Sequence, residues 1–342
     1  MLKKIQVKEA IGRKLAHDLT QIIPGKYKGA AFRKGQVIRK EDIPRLLDMG
    51  KKQVFVLELG SGELHEDEAA RRMARAIAGR GIKRRGPREG KIDFLAKSFG
   101  LLKVNTPAVN RINAIGGLIL STRHNFSTVR PGEVIAGTRT IPLTIRESKV
   151  KRLEEISRRD GPVLEVLPFR KKKVGVVVTG SEIFEKRIQD TSADIVKKKA
   201  EAFGSQVIRV AVTPDDPSWI GRVIREMKRK GCQVVVTTGG LSVDPDDVTL
   251  EGIRRSGAKI IFYGAPVLPG SMTAYARLGS MAILGGPACV VHDPITAIDL
   301  FLPRILADAP IAAADAASLG SGGLCLRCPV CRYPVCPFGR GE

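Results

Sequence analysis

The segment TTGGLSVDPDDVT, Thr237 to Thr249, places three carboxylates, Asp244, Asp246 and Asp247, within four positions just after a glycine pair and an apolar run. Acids so close repel one another unless a cation stands between them. Mg2+ is suited to that position, because it takes one or two carboxylates together with phosphate oxygens and water. Glycines let the backbone come close to a ligand, and amides ahead of a helix offer donors to phosphate oxygens. The stretch therefore reads as a site for a phosphorylated compound, with Asp244, Asp246 and Asp247 as the chemically active acids and Asp246 and Asp247 as metal ligands. The competing reading is that Asp246 and Asp247 cap a helix starting near Val248. Asp216 is expected to do the same for a helix starting at Pro217.

A second chemical group closes the chain. In LCLRCPVCRYPVCPFG, Cys325, Cys328, Cys331 and Cys336 follow a C-x2-C-x2-C-x4-C spacing, and Cys336 precedes a proline. Four thiols within twelve residues can close round one metal centre. Zinc ribbons separate two C-x2-C knuckles by a longer span, whereas C-x2-C-x2-C with a later Cys-Pro is nearer to iron–sulfur spacing. One zinc and one [4Fe–4S] cluster both remain open, as does a thiolate cluster that receives or donates sulfur or metal. Cys232 and Cys289, each within an apolar context, read as small core residues.

Both groups need a scaffold. From Lys173 onward, apolar runs alternate with amphipathic helical stretches: VGVVV, QVIRVAV, QVVVTT, AKIIFYG and MAILGG. Strands apolar on both faces, each followed by a helix, mark a parallel sheet covered on both sides, so an α/β domain is expected over 170–310. In such sheets the ligand lies beyond the carboxyl ends of the strands. The loops expected there carry Thr179, Gly180, Ser181 and Glu182, then Thr238, Gly239, Gly240 and Ser242, then Pro269 and Gly270, then Gly285 and Gly286. Asp190 precedes the first helix.

Ahead of this domain, residues 1–60 read as a small α+β segment punctuated by Pro24, Gly25, Gly29 and Gly35. Within 61–150, a helical pattern from Glu63 to about Phe99 precedes a β-rich part, and the stretch SKVKRLEEISRRDG follows as a helical linker. The four-cysteine tail occupies 320–342.

Here the residues carry a resemblance. VVVTGSEI, RIQDTSADIV and VVVTTGGLSVDPDD, in that order, resemble the molybdopterin-binding domain of molybdenum cofactor biosynthesis proteins. More weakly, AIGRKLAHDL with GAAFRKGQVI is similar to the entry segment of the molybdopterin molybdenumtransferases. The resemblance implies a three-layer α/β molybdopterin-binding domain preceded by a smaller α+β and β-rich region. It implies molybdopterin or its adenylate as ligand, molybdate as substrate, and Mg2+-assisted cleavage of a phosphoanhydride. Asp244, Asp246 and Asp247 would coordinate metal, Glu182 and Asp190 would add acid, and the Thr179, Thr238 and Ser242 loops would hold phosphate and pterin. Other cofactor-biosynthesis proteins or a molybdoenzyme would be partners, and a homo-oligomer is expected.

The sequence departs from the transferases where they read TTGG-x-S-V-G-D, having Asp244 at the glycine position. Their Pro-Gly-Asn-Pro loop survives only as Leu284-Gly285-Gly286-Pro287, and their Asp-Gly-Tyr-Ala element is missing. GGL followed by DDVT is similar instead to the CinA-type branch of the same fold, which implies a nucleotide pyrophosphatase acting on ADP-ribose. A non-catalytic pterin carrier or sensor is the third reading.

Composition sets the outer limits. The 342 residues hold 58 Lys+Arg against 35 Asp+Glu, a net charge of +23, which favours a polyanionic partner. Aromatic residues make up 5% with a single Trp, too few for the stacking platforms of a nucleic-acid binder. From Arg71 to Lys91, nine basic residues face one acid, Glu89. A solvated helix and its following loop is favoured there over a basic cleft. No apolar run approaches a membrane span, and MLKKIQVKEAIGRK has no apolar leader segment, so a cytoplasmic protein is expected.

Overall fold

In the computed structural model, which describes residues 2–23, 27–57 and 59–341, the chain forms two units. The first comprises 1–97, 104–123 and 131–166; the second comprises 98–103, 124–130 and 167–342. Segment 1–60 thus lies in the first unit, and segments 170–310 and 320–342 in the second. Pro24 and Gly25, read as punctuation, lie outside the described residues. Among the described residues, no helix is long and apolar enough to cross a membrane.

In the first unit, Leu2–Gln6 pairs antiparallel with Gln53–Leu57, and Leu19–Ile23 with Tyr27–Phe32. Val7, Leu15, Phe32, Leu46 and Val54 make their core. An antiparallel four-stranded sheet follows, built from Ile82–Arg88, Lys91–Ala96, Val134–Thr140 and Leu118–Thr122 in that spatial order. The helical pattern expected to run to Phe99 therefore needs correction. The helix spans Glu66–Ile77 only, and the residues after it form a hairpin. Gly79 and Gly81 end it: a Cβ at Gly81 would lie 2.4 Å from the carbonyl oxygen of Val166. The hairpin was hidden because Ile82–Arg88 is an edge strand with only Ile82 buried, so no apolar alternation marks it. Its exposed Lys and Arg side chains suit an unpaired edge. The basic run is thus a helix plus an edge strand rather than a helix and a loop. Part of its charge is spent internally, since Arg72 pairs with both Glu147 and Glu154 at 2.7 and 2.8 Å.

In the second unit the expected α/β alternation is present. Strands β1 (Lys173–Thr179), β2 (Gln206–Thr213), β3 (Val234–Thr238), β4 (Lys259–Tyr263), β5 (Ala274–Leu278) and β6 (Met281–Gly286) form one sheet in the order β2-β1-β3-β6-β5-β4. Alternate side chains of one strand enter opposite layers, as strand geometry requires. Val174, Val176 and Val178 pack with helices α1 (Ser192–Glu201) and α4 (Ala297–Leu306). Val177 packs with α2 (Pro217–Arg229) and α3 (Thr249–Arg255) on the other face. The result is three layers.

The sheet is not wholly parallel, which corrects the expectation. Strands β2, β1, β3 and β6 are parallel neighbours, whereas β5 runs antiparallel to both β6 and β4. The sequence AYARL gave no apolar run because Arg277 sits exposed among buried residues. Cys232 is buried as expected. Cys289 is only half-buried, because on its single 3-10 turn it is the neighbouring Val290 that faces the core.

Candidate functional site

The carboxyl ends of β2, β1, β3 and β6 lie side by side: Thr213 pairs with Thr179, Thr238 with Val178, and Gly286 with Thr238. The loop joining β4 to β5 turns at the same end, since Ala274, the first residue of β5, pairs with Gly285. The fold therefore brings together every loop expected to contribute.

Most of the polar groups at this end bind one another. Thr179 Oγ1 donates to the carbonyl of Thr238 at 3.2 Å, so its 2.8 Å contact with Thr249 Oγ1 has Thr249 as donor. Ser192 Oγ donates to Asp190 at 2.6 Å, which leaves Thr238 Oγ1 as donor in the 2.8 Å Thr238–Ser192 contact. Asp190 also accepts from the amides of Ser192 and Ala193, at 2.9 and 3.1 Å. Its carboxylate is thus directed at the start of α1. Asp216 caps α2 as expected, accepting from the amide of Trp219 at 2.7 Å. Asp215, read from the sequence with Asp216 as a loop residue after the second strand and a candidate cap, does not cap α2: it accepts from Ser181 N at 2.7 Å while its own amide donates to Ser181 Oγ, which ties the loops after β1 and β2.

The glycine pair meets protein. Gly239 has φ +87, and a Cβ there would lie 2.5 Å from the carbonyl oxygen of Thr179. At Gly240 a Cβ would lie 2.4 Å from Thr249 Oγ1. Pro269, Gly270, Gly285 and Gly286 are buried, with Gly270 and Gly286 facing Ala297 and Ile298 at the start of α4. Glu182 is exposed, on a single helical turn after Gly180.

Beyond the pair the loop opens outward. The backbone amides of Gly240, Leu241, Ser242 and Val243 donate to no acceptor among the described residues. Tyr263 Oη fixes the loop by donating to the Leu241 carbonyl at 2.6 Å. Asp244 and Asp246 are exposed and their carboxylates accept no hydrogen bond from the described residues. Asp247 Oδ2 accepts from the Asp244 amide at 3.1 Å. Helix α3 begins after Val248 without a side-chain cap, so the triplet forms a surface turn and does not cap the helix.

Two family models match the chain. One, a domain of unknown function (DUF8806), covers residues 4–58. The other, described as "Probable molybdopterin binding domain", covers residues 175–321. Residues 175–321 are a domain of the molybdopterin-binding family. A CinA-like protein of Mycobacterium tuberculosis is 30% identical over 83 residues, 24% of this chain and 19% of that protein. The molybdopterin molybdenumtransferase of Synechococcus elongatus is 24% identical over 153 residues, 42% of this chain and 38% of that one. The chain thus spans well under half the length of either relative. The crystal structure of the protein CinA from Thermoplasma acidophilum is 20% identical, covering 40% of this chain and 98% of that chain with a TM-score of 0.34. In the molybdopterin-binding domain all the strand-end loops described above fall inside the matched segment.

A further polar cluster, outside that domain, escaped the sequence reading. In the first unit His65, Glu66 and Asp67 hold a nitrogen and two carboxylate oxygens within 4.8 Å of one another. Lys34 Nζ binds His65 Nδ1 at 2.8 Å and also binds Asp67. His65 Nε2 lies 2.8 Å from the carbonyl oxygen of Ala16, which makes Nε2 the protonated nitrogen and Nδ1 the acceptor. Burial lowers the His65 pKa and the Lys34 charge adds to the effect. Burial pushes Asp67 up, but hydrogen bonds from Lys34 and the Gly90 amide outweigh it and hold it below the ordinary range. The adjacent letters H-E-D were the only signal, because Lys34 arrives from 31 residues away.

Glu66 is 4% exposed and accepts no hydrogen bond from the described residues. Burial raises its pKa, and the Asp67 charge raises it further. A carboxyl whose folded pKa exceeds its unfolded one contributes stability that is fully present below the unfolded pKa and lost as pH rises through the folded pKa. Glu66→Gln should therefore raise the melting temperature at pH 7, with the gain vanishing below about pH 4, the ordinary glutamate range. Thermal melts of both proteins across that interval check the sign, and a lower melting temperature at pH 7 would show that the carboxylate itself is needed.

Proposed function

We propose that the second unit binds molybdopterin or its adenylate at the strand-end loops, and that the loop after β3 supports Mg2+-assisted cleavage of the adenylyl phosphoanhydride with molybdate as co-substrate. One observation carries this reading: four consecutive amides without an acceptor among the described residues, Gly240 to Val243, stand directly before the exposed acids Asp244 and Asp246 and the half-buried Asp247. Amides in a row make a concavity suited to phosphate oxygens. Hard, exposed carboxylates suit an ion that keeps much of its water.

Asp246 and Asp247 would hold Mg2+, Asp246 with both oxygens free and Asp247 with one engaged by the Asp244 amide. Bound there, the ion would supply charge neutralisation on the leaving phosphate. The amides of Gly240 to Val243 donate to phosphate oxygens, and the Asp244 carboxylate, which accepts no hydrogen bond from the described residues, orients the attacking water. The hydroxyl chain through Thr179, Thr249, Thr238 and Ser192 keeps this loop in register with the ends of β1 and α1. Thr179, Gly180, Ser181, Glu182, Asp190, Pro269, Gly270, Gly285 and Gly286 then shape or support the pterin end of the site.

A nucleotide pyrophosphatase is the second reading. It is favoured by the GGL and DDVT wording of the loop, with an acid at Asp244, and by the 30% identical stretch shared with the CinA-like protein. Incubation with molybdopterin-adenylate, Mg2+ and molybdate, followed by assay of AMP, separates the possibilities. AMP release dependent on Mg2+ supports the transferase-like reaction, and ADP-ribose turnover without it supports the pyrophosphatase. Tight pterin binding with neither activity identifies a carrier, and no binding at all rejects the proposal.

A further inference from the structure

The four-cysteine tail belongs to the second unit and has no regular secondary structure beyond turns, yet it is pinned along its length. Leu268 N donates to Gly323 O and Cys325 N to Leu268 O, both at 2.8 Å, so the start of the tail pairs with the loop between β4 and β5. Tyr333 Oη donates to the Asp299 carbonyl in α4 at 3.1 Å. Phe338, 3% exposed, enters the same core layer as α4. Arg340 donates to the Cys336 carbonyl and to Ser127 Oγ, each at 3.0 Å.

This pinning leaves a cavity of about 200 Å3, lined by Cys325, Cys328, Cys331 and Cys336 together with Tyr333 and Phe338. All four thiols are free. Cys325 and Cys336 are half-buried at the inner wall, while Cys328 and Cys331 are exposed. The Arg327 amide already donates to Cys325 Sγ at 3.5 Å, the kind of backbone contact that tunes a metal-bound thiolate.

Tetrahedral zinc gathers its thiolates round a single ion with Zn–S bonds of about 2.3 Å. A cubane puts iron and sulfide between its thiolates and so needs a space of its own, and the four cysteines line one cavity. The C-x2-C-x2-C run with a later Cys-Pro is nearer to iron–sulfur spacing than to a zinc ribbon, its last gap being x4 where the bacterial ferredoxin run has x3.

We propose that Cys325, Cys328, Cys331 and Cys336 bind one [4Fe–4S] cluster in this cavity. One of its ligands, Cys325, is joined through its backbone to Leu268 in the loop between β4 and β5, and the cluster depends only on the tail, not on the ligand assigned above.

The test is metal analysis of the full chain, purified anaerobically and reconstituted with ferrous iron and sulfide. About four iron and four sulfide per chain are expected, with broad visible absorption from thiolate-to-iron charge transfer. The double variant Cys328→Ser with Cys331→Ser, at exposed positions, should keep the fold and lose the iron and the colour. Cys232→Ser should keep both. Stoichiometric zinc in a protein that stays colourless after reconstitution would overturn the proposal, as would iron and sulfide retained by the double variant.

Discussion

If the proposed reaction holds, Asp246→Asn should lower Mg2+-dependent AMP release by about 10²-fold, the order seen when one group that stabilises transition-state charge is removed. The carboxylate is exposed and accepts no hydrogen bond from the described residues, so the substitution removes charge and little else. Stability should stay within about 0.5 kcal/mol, the usual range for surface changes. Asp247→Asn is a milder case, because its amide oxygen can still accept from the Asp244 amide. Initial rates at varied Mg2+, read beside thermal melts, make the check. Unchanged turnover with Asp246→Asn would remove the acidic turn from the mechanism and leave the amides as a binding device alone.

Gly239→Ala destabilises the second unit by about 3 kcal/mol. A left-handed backbone costs an L-residue about 1–2 kcal/mol, and forcing a methyl into packed space adds about 1–3 kcal/mol. At Gly239 both apply, since φ is +87 and the new carbon would sit 2.5 Å from the Thr179 carbonyl oxygen. Gly231 supplies the control in the same unit. Its φ is +85 but nothing lies within 4 Å, so Gly231→Ala should cost only the conformational part. Urea unfolding of both variants gives the comparison. Equal losses would mean that the loop after β3 can move off the end of β1, and that the close approach of these two strand ends is not what holds the site in register.

That second prediction marks a boundary of what the letters conveyed. The pair Gly239-Gly240 read as room for a ligand, whereas the missing Cβ atoms are faced by Thr179 and Thr249. Nothing local distinguishes a glycine that admits phosphate from one that admits a neighbouring strand. Asp190 likewise read as a free acid at a site, and it spends both oxygens on the start of α1. The strand Ala274–Leu278 and the hairpin strand Ile82–Arg88 were illegible for a related reason. One interrupts its buried residues with Arg277 and the other buries only Ile82, so neither shows the periodicity that pattern reading requires.

By itself the sequence determined the α/β alternation from Lys173, the strand ends at which the loops would meet, and a molybdopterin-binding segment. These follow from runs of valine, helix periodicity and short motifs, each encoded within a few consecutive residues. Tertiary structure alone decided the reversed β5, the engagement of Asp190 and Asp215, and the free amides beside the acidic turn. It alone brought Lys34 to His65 and spread four cysteines round one cavity. All of these depend on which distant atom comes to lie within hydrogen-bonding or van der Waals distance, and packing of the whole domain sets that.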